Sequence, residues 1–181
     1  MRKVVIGGLI LLVFIVIAIL AFYLVNSVLY AYVYPSRSPE QPIAFSHKLH
    51  AGDNEIPCLF CHIYATKSRV SGVPSVQRCY GCHKAIKTKS PEIKKVLGYW
   101  KEKKPIPWVK VHDLPDYIYF THKRHVNAGV RCQECHGPVE TMDKIRRVAP
   151  LGMGWCLDCH RNRHERKGGP KGPEDCWECH A

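Results

Sequence analysis

From Val4 to Tyr34 the chain carries no charged side chain, and Asn26 and Ser27 are its only strongly polar ones. Read as a helix at 1.5 Å per residue, this stretch reaches roughly 46 Å, well beyond the roughly 30 Å hydrocarbon core of a bilayer. It can therefore cross a membrane and continue outside it. Arg2 and Lys3 precede it, which places the N-terminus in the cytoplasm and whatever follows on the far side. Tyr23, Tyr30, Tyr32 and Tyr34 gather late in the stretch, where an interfacial aromatic belt would lie. A cleaved leader has an apolar region of only about 7 to 15 residues and a small-residue cleavage site, neither of which is evident. Residues 1–34 are accordingly read as a retained single-pass anchor, with no nearby cysteine to carry a lipid.

Beyond the anchor the pattern changes. Residues 35–43 are polar and proline-bearing and read as a linker, and residues 44–181 as one further domain that repeats itself. Phe45-Ser-His47-Lys-Leu-His50 stands ahead of Cys58-Leu-Phe-Cys61-His62, and Phe120-Thr-His122-Lys-Arg-His125 ahead of Cys132-Gln-Glu-Cys135-His136. A second cysteine pair follows each, starting 21 residues on in the first copy (58 to 79) and 24 in the second (132 to 156), with Pro74 and Pro150 just before. The simplest organisation is a duplicated unit over 44–83 and 119–160, a connecting segment over 84–118 and a last cysteine pair within 161–181. In the connecting segment, Ser90-Pro91 predicts a helix start, serine as N-cap and proline at the first helical position. Val96, Leu97 and Trp100 form its apolar stripe, and Pro105 and Pro107 end it. No sustained strand alternation follows the anchor.

The cysteines identify the chemistry. All ten fall into Cys-x-x-Cys pairs, at 58 and 61, 79 and 82, 132 and 135, 156 and 159, and 176 and 179. Each pair is followed at once by a histidine: His62, His83, His136, His160 and His180. A disulfide framework requires no histidine there, and a thioredoxin-like redox motif would occur once. Zinc knuckles pair their thiolates four to a site, which five pairs cannot do, and they give no reason for the recurrent histidine. Two thiols forming thioethers with haem vinyl groups, with an adjacent imidazole reaching the iron, require this spacing, so five covalent haems c are expected. About 147 residues then hold five haems, roughly 29 each, so much of the apolar interior has to be porphyrin rather than leucine, isoleucine and valine. The predicted fold is a multihaem cytochrome c with little regular secondary structure: short α-helices and loops around a chain of five haems, plus the N-terminal transmembrane helix.

The formal charge of +12 points first to nucleic acid or an anionic surface. Haem propionates remove that reading. Each ferric haem adds about −1 and each ferrous haem about −2, leaving roughly +7 oxidised and +2 reduced, and no nucleic-acid partner is expected.

Six histidines remain: His47, His50, His112, His122, His125 and His164. Five irons need five further axial ligands if all are six-coordinate. Imidazoles three apart in the two Phe-x-His-x-x-His blocks can point to opposite sides of a tight turn and serve different haems, so His47, His50, His122 and His125 are the leading candidates. His112 lies in an apolar loop and is next. His164, in a charged run, and Met153, a thioether that would raise the potential of its haem, are the alternatives for the remaining site. With enough ligands to close every iron, no catalytic residues are expected, and electron transfer without bond chemistry is favoured over substrate reduction.

The blocks at 45–62 and 120–136 resemble class III cytochromes of the c3 and c7 kind. In that family the first histidine ligates the haem of its own block and the second a neighbouring haem. The resemblance thus implies His47 for the haem at Cys58 and Cys61 and His122 for that at Cys132 and Cys135, with His50 and His125 crossing to other haems. A longer pattern, Trp108-Val-Lys-Val-His112-Asp-Leu-Pro115, Tyr119-Phe-Thr-His122, His125-Val-Asn-Ala-Gly129, Cys135-His-Gly-Pro-Val-Glu140 and Met153-Gly-Trp-Cys156, resembles the pentahaem cytochrome c component of alternative complex III. That likeness, over nearly all of the chain, implies a subunit of a quinol-oxidising complex in the bacterial inner membrane, its haem domain periplasmic. The implied partners are an iron-sulfur protein of the molybdopterin-enzyme family, multi-span membrane subunits, a monohaem cytochrome c and a periplasmic electron acceptor. The related multihaem subunit of menaquinone reductases shares these motifs but usually carries a sixth haem and runs electrons towards quinone, so five motifs favour the first resemblance. A stand-alone anchored quinol dehydrogenase is the further alternative.

Overall fold

The structure, a computed structural model, describes residues 2–33 and 37–180, excepting the side chains of 2–5, 30–33, 164, 166 and 167. Tyr34 and the side chains of Tyr30, Tyr32, Arg2, Lys3 and His164 therefore lie outside what is described. Two units are present, Met1–Ser36 and Arg37–Ala181.

The first unit is the helix α1, Arg2–Val33. The 24 residues Ile6–Leu29 are long and apolar enough to cross a membrane, and their side chains are exposed on every side. In hydrocarbon, unsatisfied polar groups are costly. The two polar side chains of the stretch avoid this by bonding back to their own helix: Asn26 Nδ2 donates to the Phe22 carbonyl and Ser27 Oγ to that of Leu24, both at 2.8 Å.

The second unit consists of short helices joined by loops. They are α2 (Cys58–Cys61), α3 (Val76–His83), α4 (Pro91–Lys101), α5 (His122–Asn127), α6 (Gln133–His136), α7 (Met153–Lys167) and α8 (Cys176–Cys179), with a π-helical turn at Lys48–Asp53 and a 3-10 turn at Val139–Thr141. Among the described residues the extended backbone pairs only in an isolated antiparallel bridge between Ile118 and His180. At 15 residues, α7 is longer than the short turns expected, because its haem motif runs on into the polar residues 161–167.

The helix α4 starts as its sequence predicts, with Ser90 in extended conformation at the N-cap and Pro91 at the first position. Its buried face differs from the expected stripe, keeping Val96 but taking Tyr99 in place of Leu97 and Trp100. Val96 is buried with Ile43 and Ile106, and Tyr99 and Trp108 pack on them, whereas Trp100 leaves this core to stack on Tyr80 of α3 at 4.4 Å.

The segment expected to be a linker is, from residue 37 on, part of the folded unit. Ser38 Oγ donates to the Ile145 carbonyl at 3.0 Å, Glu40 pairs with Lys144, and the Gln41 amide bridges the backbone of Val109 in both directions. Ile43 is 4% exposed. Polar side chains here cap distant carbonyls, and composition alone does not distinguish that from solvation.

The two copies brace each other reciprocally. In the first block, Lys48 N–H donates to the Met142 carbonyl at 2.9 Å and Ser46 Oγ to Asp143 at 2.8 Å, both in the stretch after the second copy's Cys132–Cys135 pair. In the second block, His122 and Lys123 N–H groups donate to the Arg69 and Ser68 carbonyls, both at 3.0 Å, in the stretch after the first copy's Cys58–Cys61 pair. Gly52 lies against the Glu140 carbonyl, so closely that a side chain there would force the two turns apart.

Candidate haem-binding sites

Every cysteine pair sits on one helical turn. Where the turn stands alone, the following histidine closes it: the N–H groups of His62, His136 and His180 donate to the carbonyls of Cys58, Cys132 and Cys176, each at 2.9 Å. The first thiol and the imidazole, four positions apart, thereby share a helix face. All ten thiols are free. Burial pushes those of Cys61, Cys79, Cys132 and Cys156 up, and that of Cys135 to about 11.

Around the distal blocks, one phenylalanine holds two histidines in different attitudes. Phe45 meets His47 edge-on (4.9 Å, 86°) and His50 nearly face-on (4.4 Å, 25°). Phe120 repeats this with His122 (4.8 Å, 86°) and His125 (4.6 Å, 32°). The two rings of each block therefore differ in orientation.

Most of these imidazoles are also fixed in one tautomer. A carbonyl oxygen can only accept, so a ring nitrogen bonded to one carries the proton and leaves the other nitrogen's lone pair free for a metal. Nδ1 donates in this way from His62 to Gly72 (2.7 Å), His83 to Ile86 (3.1 Å) and His160 to Pro173 (2.6 Å). It does so too from His50 to Ser46 (2.8 Å), His125 to Thr121 (2.8 Å) and His122 to Arg69 (2.9 Å).

Ring separations test whether the residues fit an iron porphyrin. Two imidazoles on opposite faces of one metal, each about 2 Å from it through Nε2, hold their ring centres roughly 6 Å apart. The centres of His50 and His83 are 6.1 Å apart, those of His125 and His160 6.0 Å, and those of His122 and His136 6.3 Å. Each pair joins a block histidine to a motif histidine, and the fit is good. Burial lowers His47 and His136 to about 4 and also lowers His112 and His125, so these rings are neutral, the form that coordinates a metal. His47 Nδ1 and His112 Nε2 are buried without a hydrogen-bond partner. An unsatisfied buried nitrogen costs about 1–3 kcal/mol, which a coordinate bond or a propionate contact would offset.

The other candidates fall as follows. His112 packs edge-on against His136 at 4.3 Å, beside the third motif rather than the fifth. Met153 begins α7 and is 63% exposed. At the fifth motif the ring facing His180 is Tyr117, at 5.9 Å and 23°, held there by the Ile118–His180 bridge and by Tyr119 N–H donating to the Cys179 carbonyl at 2.8 Å. Sequence reasoning misses Tyr117, and it misses Gly172, where a Cβ would lie 2.5 Å from the His160 ring. A glycine beside Pro173 is the available signal for the second; Tyr117 has none, because only the fold brings it to His180. Around the motifs apolar side chains stay uncovered by protein, Leu59, Phe60, Val73, Val148 and Trp177 among them. This is apolar area that a porphyrin would remove from water at about 25 cal/mol per Å².

Residues 118–181 match the family described as cytochrome c7 and related cytochrome c. Over 162 residues the chain is 29% identical to the menaquinone reductase multiheme cytochrome c subunit of Nitratidesulfovibrio vulgaris, covering 78% of this chain and 77% of that protein. Both likenesses are to cytochromes c, and the scaffold that carries them here is, among the described residues, helical and without strands.

Proposed function

We propose that this chain is the electron-transfer subunit of a membrane quinol:acceptor oxidoreductase of the alternative complex III kind, relaying electrons through five haems c to a periplasmic acceptor. The observation that carries the reading is the set of imidazole pairs at 6.0–6.3 Å, which would leave no open coordination position on an iron held between them. In it, Cys58, Cys61, Cys79, Cys82, Cys132, Cys135, Cys156, Cys159, Cys176 and Cys179 each add a thiol S–H across a haem vinyl group. His62, His83, His136, His160 and His180 are the proximal ligands. His47 and His122 close the irons of their own blocks, and His50 and His125 those beside His83 and His160. Haem supplies a one-electron couple, its potential set by axial ligand, burial and nearby charge. The protein's residues keep the rings neutral, fix their tautomers and shield the apolar faces.

The five motifs and the pattern from Trp108 to Cys156 support the pentahaem component of that complex, with an iron-sulfur protein of the molybdopterin-enzyme family, multi-span subunits and a monohaem cytochrome c as partners. The helix α1 supports an inner-membrane anchor with the haem domain periplasmic. The likeness to the menaquinone reductase protein supports a second reading, in which electrons run from a periplasmic donor to quinone. Purification from the native membrane in mild detergent separates them. The first reading predicts co-purifying membrane subunits, quinol-dependent reduction of a soluble cytochrome, and no carbon monoxide binding at the paired stations of the reduced complex. Quinone reduction by a reduced periplasmic cytochrome, without the reverse activity, establishes the second. Isolation as a lone chain that oxidises quinol would instead make it a stand-alone dehydrogenase.

A further inference from the structure

We infer that the five haem stations lie in space in the order second, first, third, fourth, fifth, and that electrons follow that line rather than the order of the motifs along the chain. The inference rests on the haem reading above and adds to it the route.

The stations are numbered by their proximal histidines, His62, His83, His136, His160 and His180. Within the first copy, the block that supplies His47 to the first station turns through three residues to set His50 against His83 of the second, at 6.1 Å. Arg78 of α3 lies over Phe60 of the first motif at 4.9 Å. The second copy repeats this arrangement. His125 faces His160 at 6.0 Å, and Arg163 of α7 reaches Glu134 in the third motif at 3.3 Å and the Gly129 carbonyl at 2.9 Å. Each copy thus has an inner station fed by its first block histidine and an outer one fed by its second.

The copies meet at the inner stations. The carbonyl that orients the His122 ring belongs to Arg69, seven residues beyond His62, and the Lys48 N–H is held by Met142, six beyond His136. Asn127 reaches the Thr66 carbonyl at 3.4 Å in the same seam. In agreement, the thiols of Cys58 and Cys132 interact. The fifth motif continues from the fourth: the His160 ring donates to the Pro173 carbonyl at 2.6 Å, Gly172 packs on that ring, and Arg161 pairs with Glu174 at 2.8 Å. Reciprocal bracing of two like units therefore places the second station at one end and joins the halves through the first and third.

With haem bound, each hop would oxidise one station by one electron and reduce its neighbour by one, with no bond formed or broken. The second station is then a terminus, and the step from the second motif to the third, adjacent in sequence, is not on the path. The test is the iron positions in the haem-loaded full chain in detergent, from anomalous scattering or electron cryomicroscopy, after its mass has shown five haems. The iron on His62 is expected between those on His83 and His136. An iron on His83 closer to that on His136 than the His62 iron is would overturn the order while leaving the function intact. A mass showing fewer haems would instead overturn the functional reading.

Discussion

A histidine that is to bind iron must be neutral and must present one nitrogen, and single residues here arrange both. Desolvation lowers His47 and His136 to about 4, below the usual 6.5. Because the folded value is depressed, the neutral ring persists above about pH 4 and is lost only as pH falls through that value. The low-spin absorption bands should therefore be unchanged between pH 8 and pH 5; conversion to high spin near pH 6.5 would contradict this. Removing one distal ring should open one station. In His50→Ala the station at Cys79 and Cys82 should turn high-spin and bind carbon monoxide, about one fifth of the total haem, while the other paired stations stay closed; an unaltered spectrum would remove His50 from the ligand set. These candidate ligands are legible in the sequence because their spacing is local. The carbonyls that orient them, from Arg69, Gly72 and Pro173, come from elsewhere in the chain and are not.

At the scale of elements, two glycines make opposite predictions. Gly98 lies inside α4 with nothing within 4 Å of where a Cβ would stand, so Gly98→Ala should stabilise the protein by about 0.5–1 kcal/mol in chemical denaturation. At Gly172 a Cβ would lie 2.5–2.7 Å from the His160 ring, and Gly172→Ala should displace that ring and give a high-spin signal from the fourth station. A wild-type spectrum in Gly172→Ala would show that the ring has room to move. Local chemistry makes α4 readable from Ser90 and Pro91. The stretch from 37 to 43 looks like a linker in sequence because the partners of its polar side chains, Ile145, Lys144 and Val109, are all more than sixty residues away. The π-helical turn, set by contacts with the second copy, is equally out of reach.

For the whole molecule, α1 and the haem unit carry separate predictions. The full chain should stay in the membrane after alkaline carbonate extraction, and a chain starting at Arg37 should be released in soluble form; release of the full chain would deny α1 its role as an anchor. The protein core is small, Ile43, Val96 and Ile106 with their neighbours, and on the proposed reading bound porphyrin would supply most of the interior. The duplication can be read from the sequence, but the seam between its halves cannot. The most direct measurement is the mass of the intact purified chain together with its spectrum. Five haem masses on the polypeptide, with low-spin bands, are predicted; a colourless chain weighing only what its amino acids weigh would contradict the account.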